Sequence, residues 1–325
     1  QSKSDEYLGD YSMFLKVGVR ADKLSLARGD LAIRTIRETY PSAQVERKIL
    51  HGLKDPTKQS MTKLRGPKRT FDNLLASAVA DGKVDLAVFN MKDLPFLKNG
   101  GPLLLAATPA RSSPYEALVS RGPRELENLR SGATVGTSTL FRIAQLRRVR
   151  PDLRPQPIGG KVEDRIFRLD RGEVDALIIA ESGLAQLGMT ERITQRLPLT
   201  TFLPTPCQGI TAIVTQRENQ RAIEAVRAID DKATRAEAEA ERGLETILRA
   251  DCNVPLGCYS RLKGDRLELT ASVLSPDGET MFRASSIGLL DQTLALANSV
   301  SDSLISQGAR SLEEGWRRLY PLEDD

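Results

Sequence analysis

From about residue 13 to residue 230, short apolar runs alternate with stretches of helical periodicity. The run at 14–19 predicts a strand, and 24–40 a helix with apolar residues at three- and four-residue intervals. A strand follows at 45–50, then a helix at 71–80 stopped by Gly82. The apolar, partly β-branched run at 84–89 suits a strand buried on both faces. A second set comprises a strand at 134–137, helices at 140–149 and 162–169, and a strand at 176–180. Asp81-Gly82-Lys83-Val84-Asp85 ahead of one buried strand is echoed by Arg171-Gly172-Glu173-Val174-Asp175 ahead of another, which predicts two α/β lobes of similar construction. A strand at 209–216 is expected to return to the first lobe, followed by helices at 220–229 and 233–250. Beyond Cys252 the period changes. Runs at 266–273 and 280–287 flank Ser275-Pro276-Asp277-Gly278 as a hairpin, and 294–306 is helical, giving a small α+β domain.

Composition narrows the function. The 325 residues carry 47 Lys+Arg against 43 Asp+Glu, a net charge of +4, with one His and three Cys. At 40% hydrophobic and 28% charged, the chain reads as globular. His51 alone cannot build a multi-histidine metal site, so no metal is expected. Cys207, Cys252 and Cys258 are odd in number and include no C-x-x-C pair, which favours a reducing compartment. No apolar run reaches membrane-spanning length. The polar start, Gln1 to Tyr11, is unlike a signal peptide, so a cytoplasmic protein is expected, or an organellar one whose leader has been removed. Basic stretches without interleaved aromatic residues argue against nucleic acid.

Charge placement says more than net charge. Lys54, Lys58, Lys63, Arg65, Lys68 and Arg69 crowd a segment read as a mobile basic loop. Gly136-Thr137-Ser138-Thr139-Leu140 puts three hydroxyls at a strand-to-helix turn, and Arg142 lies in the first turn of that helix. The free N–H groups and the dipole make such a turn an anion site; a solvated helix face with an ordinary cap is the other reading. Met91-Lys92-Asp93-Leu94-Pro95 follows the buried strand, at the end where α/β lobes bind ligands. Asp93 there is either an acid–base group or half of a surface pair with Lys92. Cys252 lies in a loop beside Asp251, which lends no support to a thiolate.

Taken in order, these motifs resemble the porphobilinogen deaminase (hydroxymethylbilane synthase) family over nearly the whole chain, from Val17 to about Ser306. Val17-Gly18-Val19-Arg20 resembles the family's Gly-Thr-Arg opening. Phe89-Asn90-Met91-Lys92-Asp93-Leu94-Pro95 resembles its His-Ser-Met-Lys-Asp-Val-Pro. Val135 to Arg142 resembles Val-Gly-Thr-Ser-Ser-Leu-Arg-Arg, Leu203 to Gly209 resembles Leu-Pro-Ala-x-Gly-Gln-Gly, and Cys252 to Gly257 resembles Cys-x-Val-Pro-x-Gly.

The resemblance implies two periplasmic-binding-protein-like α/β lobes around a cleft plus a small α+β C-terminal domain. The expected boundaries are 12–110 with 204–228, then 111–203, then 229–312. It implies a dipyrromethane cofactor in thioether linkage to Cys252 and a monomeric transferase that joins four porphobilinogen units head to tail with loss of ammonia. Asp93 would be catalytic. Lys92, Ser138, Thr139, Arg142 and Arg165 would hold the cofactor, and Arg20, Phe71 and Gln208 would meet substrate.

The chain departs from the pattern where charge matters. The family's arginine pair becomes Phe141-Arg142, its Arg-Gly-Asn becomes Gly159-Gly160-Lys161, and a helical arginine becomes Gln186. Asp22 takes the place of a serine two residues after Arg20. Three of six expected cleft arginines are thus missing, which leaves two alternatives. One is an active deaminase. The other is a diverged homologue, with impaired or lost elongation, that binds a dipyrrole, a tetrapyrrole precursor or another small polycarboxylate.

Overall fold

The computed structural model describes residues 13–51, 69–94, 97, 100–251 and 254–319. The expected basic loop and Cys252 lie outside the described residues, as do Pro95 and the side chain of Phe71. In chain order the elements begin with β1 (Phe14–Arg20), α1 (Lys23–Thr39), β2 (Gln44–Leu50), α2 (Arg69–Ala80), β3 (Leu86–Asn90) and β4 (Leu103–Ala107). Then come β5 (Glu116–Ser120), β6 (Thr134–Thr137), α3 (Leu140–Val149), β7 (Arg154–Pro157), α4 (Val162–Asp170), β8 (Ala176–Ala180), α5 (Glu181–Gln186) and β9 (Gln195–Leu197). The chain continues through β10 (Thr211–Gln216), α6 (Gln220–Arg227), α7 (Lys232–Asp251), β11 (Leu256–Lys263), β12 (Arg266–Leu274), β13 (Met281–Leu289), α8 (Thr293–Gln307) and α9 (Glu313–Leu319).

These elements form two compact units. One holds the described residues up to His51 together with 69–109 and 211–231; the other holds 110–210 and those from 232 onward. The first is an α/β lobe, and the second combines another α/β lobe with the small α+β domain.

The two lobes share one topology. In the first the sheet order is β2-β1-β3-β10-β4, and in the second it is β7-β6-β8-β5-β9. The first three strands of each are parallel, and the fourth runs antiparallel to both its neighbours. The echoed sequence does the same work in both places. Gly82 and Gly172 have φ of 69° and 78°, the left-handed region that glycine enters without strain. The following aspartate then clasps the adjacent strand. Asp85 Oδ2 accepts from the Lys16 N–H at 2.8 Å, and Asp175 Oδ2 accepts from the Thr134 N–H at 2.8 Å. This clasp is why β3 begins at Leu86 and not at residue 84. The expected 209–216 strand also starts late, because Gly209 (φ 82°) and Ile210 belong to a turn in which the Ile210 N–H donates to the Cys207 carbonyl. β10 does return to the first lobe.

Apolar alternation fills each core. Leu15, Val17, Ile33, Ile36, Leu86, Val88 and Ile213 close the first lobe, and Leu118, Val135, Leu146, Ile178 and Phe202 close the second. The third domain is an antiparallel β11-β12-β13 sheet packed by α7 and α8. Trp316 of α9 joins its core at 1% exposure, its indole N–H donating to the Leu274 carbonyl at 2.7 Å. Among the described residues no helix is long and apolar enough to cross a membrane.

Candidate active site

In the first unit, β1 and β3 run parallel, so Arg20 and the residues after Asn90 leave the sheet at the same edge. A single 3-10 turn, Met91–Asp93, follows β3. Buried Met91 and Leu94 pin it, and the Leu94 N–H closes it on the Met91 carbonyl at 3.1 Å. Lys92 and Asp93 are thereby held half-buried at the strand end. The Asn90 side-chain amide donates to Asp93 Oδ2 at 3.0 Å. Arg20 Nε lies 3.1 Å from Asp22 Oδ2, while Asp22 Oδ1 caps α1 by accepting from the Ser25 N–H at 2.9 Å. Asp22 thus serves as a local counter-ion for Arg20 and a helix cap. His51 is exposed.

In the second unit the site gathers at the start of α3. Thr139 caps the helix, its hydroxyl accepting from the Arg142 N–H at 3.3 Å. Ser138 Oγ accepts from Arg165 Nη1 at 3.1 Å. Arg165, on α4, turns its Nε and Nη2 onto the Gly160 carbonyl at 3.0 and 2.6 Å, so its fork straps the Gly159-Gly160 loop to the helix start. Among the described residues no carboxylate forms a salt bridge with it. Burial first, then the neighbouring charge of Arg142, lowers the Arg165 pKa to about 10, with Asp164 opposing. Two guanidinium groups that sense each other beside a helix N-terminus form a cradle for carboxylates.

Arg142 enters this cradle from beneath. It is 3% exposed; its Nε donates to Glu116 Oε1 at 2.7 Å and its Nη2 to Gln208 Oε1 at 3.0 Å. The edge of the fork expected to grip an anion bidentately is therefore spent inside the fold, and Nη1 has no hydrogen bond among the described residues. Gln208, expected to contact substrate, is fully buried, its Nε2 donating to the Pro114 and Tyr115 carbonyls at 3.0 and 3.3 Å. Sequence reasoning missed Glu116. A lone acid opening the apolar strand Glu116-Ala117-Leu118-Val119 was the available signal that a buried cation lay opposite. Its second oxygen, Oε2, is buried without a hydrogen bond among the described residues.

The basic residues toward the end of α3 turn to other partners. Arg147 donates to the Pro276 carbonyl at 2.6 Å, and Arg148 to the Gly278 and Glu279 carbonyls at 3.1 and 3.0 Å, tying α3 to the β12–β13 turn. Arg150 pairs with Asp152 at 2.7 Å. These are structural contacts, not anion ligands.

The departures from the family pattern have distinct outcomes. Phe141 is 2% exposed in the core shared with the third domain, packed so tightly on Gly257 that a Cβ there would lie 1.9 Å from its ring. A Cβ on Gly159 would meet nothing within 4 Å, leaving open space. The Gln186 amide oxygen is buried without a partner among the described residues.

A buried network braces the chain on the other side of Gln208. Arg111 Nη1 reaches Glu241 Oε1 at 2.7 Å and Glu237 Oε2 at 3.4 Å, while its Nε donates to the Gln208 carbonyl at 3.0 Å. Glu241 also accepts from the Cys207 and Ser260 N–H groups and the Ser260 hydroxyl. Burial opposes the Arg111 charge, but Glu241 and then Glu237 outweigh it and hold the guanidinium above its ordinary value.

Two family models match the chain. "Porphobilinogen deaminase, dipyromethane cofactor binding domain" matches residues 15–224, and "Porphobilinogen deaminase, C-terminal domain" matches 235–306. The chain belongs to the porphobilinogen deaminase family. It is 40% identical over 293 residues to porphobilinogen deaminase of Desulforudis audaxviator, covering 90% of this chain and 94% of the relative. It is 34% identical over 298 residues to porphobilinogen deaminase of Xanthomonas campestris, covering 92% and 98%. It is 31% identical over 301 residues to probable porphobilinogen deaminase of Nitrosopumilus maritimus, covering 93% and 96%. Among solved structures, the methionine-binding protein MetQ aligns over 65% of this chain and 89% of its own, with a TM-score of 0.41 and 16% identity, too slight to carry an argument. Family membership makes the α3 cradle and the Asp93 turn the places where porphobilinogen deaminase chemistry is sought.

Proposed function

We propose that this chain is a hydroxymethylbilane synthase, a transferase that links four porphobilinogen units head to tail and releases one ammonia per unit. The observation that carries this reading is the cradle of Arg142, Arg165, Ser138 and the α3 N-terminus, lying inside the stretch matched by the dipyromethane cofactor binding model. Its donors suit the group: carboxylate side chains answer to the Arg165 guanidinium, a helix start and hydroxyls. Dipyrromethane, in thioether linkage to Cys252, would supply the free pyrrole carbon from which the chain starts to grow.

The chain's own residues do the rest. Arg165, Ser138 and Thr139 bind and orient carboxylates; Arg142 adds Nη1, positioned by Glu116 and Gln208. Lys92 and Arg20 hold carboxylates at the edge of the first lobe. Phe71 borders the substrate. Asp93 balances positive charge on pyrrole nitrogens and takes up or returns their protons as the carbon–nitrogen bond to the departing ammonia breaks. We extend the proposal to a monomer in the cytoplasm; unpaired, buried Cys207 and Cys258 suit a reducing compartment.

A second reading, binding with impaired elongation, is favoured by one specific finding: Phe141 points its ring into a core where the pattern has an arginine.

The attachment step is tested by intact mass. Wild-type protein expressed with porphobilinogen available should weigh one dipyrromethane more than its sequence mass, and Cys252→Ala should weigh only its sequence mass. A wild type at bare sequence mass sinks the cofactor-bearing reading.

A further inference from the structure

Asn90 is the last residue of β3, its backbone fixed by pairing with Thr211 of β10, and it stands immediately before the Met91–Asp93 turn. An asparagine in that place ordinarily turns its side-chain oxygen onto a backbone N–H two or three residues on. Asn90 makes no such cap. Its Nδ2 instead donates to Asp93 Oδ2 at 3.0 Å, and its side chain makes no other hydrogen bond among the described residues. Only the amide nitrogen can face a carboxylate oxygen in this way, which also fixes which end of the amide is which. The backbone of the turn is held by Met91 and Leu94, but that leaves the carboxylate torsion of Asp93 broad. The amide N–H narrows it. The family motif has a serine, also a side-chain donor, at this place.

We propose that Asn90 is a positioning residue for the condensation: it orients the Asp93 carboxylate for the pyrrole nitrogens, resting on the assignment of Asp93 made above. Asn90 touches no reacting atom and acts through Asp93.

The test compares kcat and KM for porphobilinogen in dipyrromethane-bearing wild type, Asn90→Ala, Asn90→Asp, Asn90→Ser and Asp93→Ala. Asn90→Asp keeps the size of the side chain but replaces the donor with an acceptor, so it removes the hydrogen bond without a cavity. Asn90→Ala and Asn90→Asp should lose kcat by about tenfold or more with KM within about twofold, since the loss falls on the reacting state and not on binding. Asn90→Ser, which keeps a donor, should recover much of the loss. A kcat for Asn90→Ala and Asn90→Asp within about twofold of wild type, or a loss confined to KM, overturns the proposal while an inactive Asp93→Ala leaves Asp93 in place. An active Asp93→Ala overturns the Asp93 assignment itself, whatever the Asn90 variants do. Should Asn90→Ala fail to fold, Asn90→Asp against Asn90→Ser decides the matter: equal kcat in the two overturns it.

Discussion

Asp93→Ala is expected to lower porphobilinogen consumption by about a thousandfold or more at saturating substrate. The condensation moves positive charge onto pyrrole nitrogens and then removes a proton, and a carboxylate fixed at the strand end serves both steps. Charge stabilisation and proton transfer each contribute about a hundredfold or more in comparable sites, and one residue carries both here. Structure sets the cost elsewhere low: Asp93 is half-buried, and buried Met91 and Leu94 anchor its turn. The melting midpoint should therefore stay near that of wild type while ammonia release disappears. A variant that keeps a tenth of wild-type turnover would remove Asp93 from this role.

The largest effect on stability is expected at Arg111. Glu241 is 0% exposed, and Arg111→Ala would leave its carboxylate buried with only the Cys207 and Ser260 donors. Breaking one side of such a pair costs about 3–5 kcal/mol, against about 0–1 kcal/mol for an exposed pair. The cost exceeds a simple charge deletion because the same guanidinium holds the Gln208 carbonyl, and Gln208 in turn holds Arg142. Urea unfolding of the second unit should shift by that amount, and removal of the cation should loosen the cradle as well. A loss below about 1 kcal/mol would mean that the network adds little beyond its packing.

How the chain announces itself depends on which physics is at work. Strands and helices that bury an apolar face, such as 14–19, 134–137 and 162–169, were readable because periodicity reports burial directly. The echo around Gly82 and Gly172 was readable because a left-handed glycine and a clasping aspartate are local chemistry. Short β7 and β9 were not, because edge pairing leaves little apolar signal. Within the candidate site, local motifs pointed to Asp93, Ser138 and Thr139, and the family resemblance to Arg165, but neither said what each touches. Glu116 meets Arg142 across 26 residues, and Glu241 meets Arg111 across 130, distances over which no periodicity speaks. The same holds for Arg147 and Arg148, which bind carbonyls of a turn far along the chain.

Elongation itself is the most direct test of the central claim. Purified dipyrromethane-bearing protein, mixed with a few equivalents of porphobilinogen and weighed intact, should give a ladder of species heavier by one to four condensed units, followed by return to the starting mass as the tetrapyrrole leaves. A ladder that halts after one or two units would favour impaired elongation, with Phe141, Gly159 and Gln186 as its cause. A mass that never moves, while porphobilinogen remains unconsumed, would contradict the assignment of hydroxymethylbilane synthase activity.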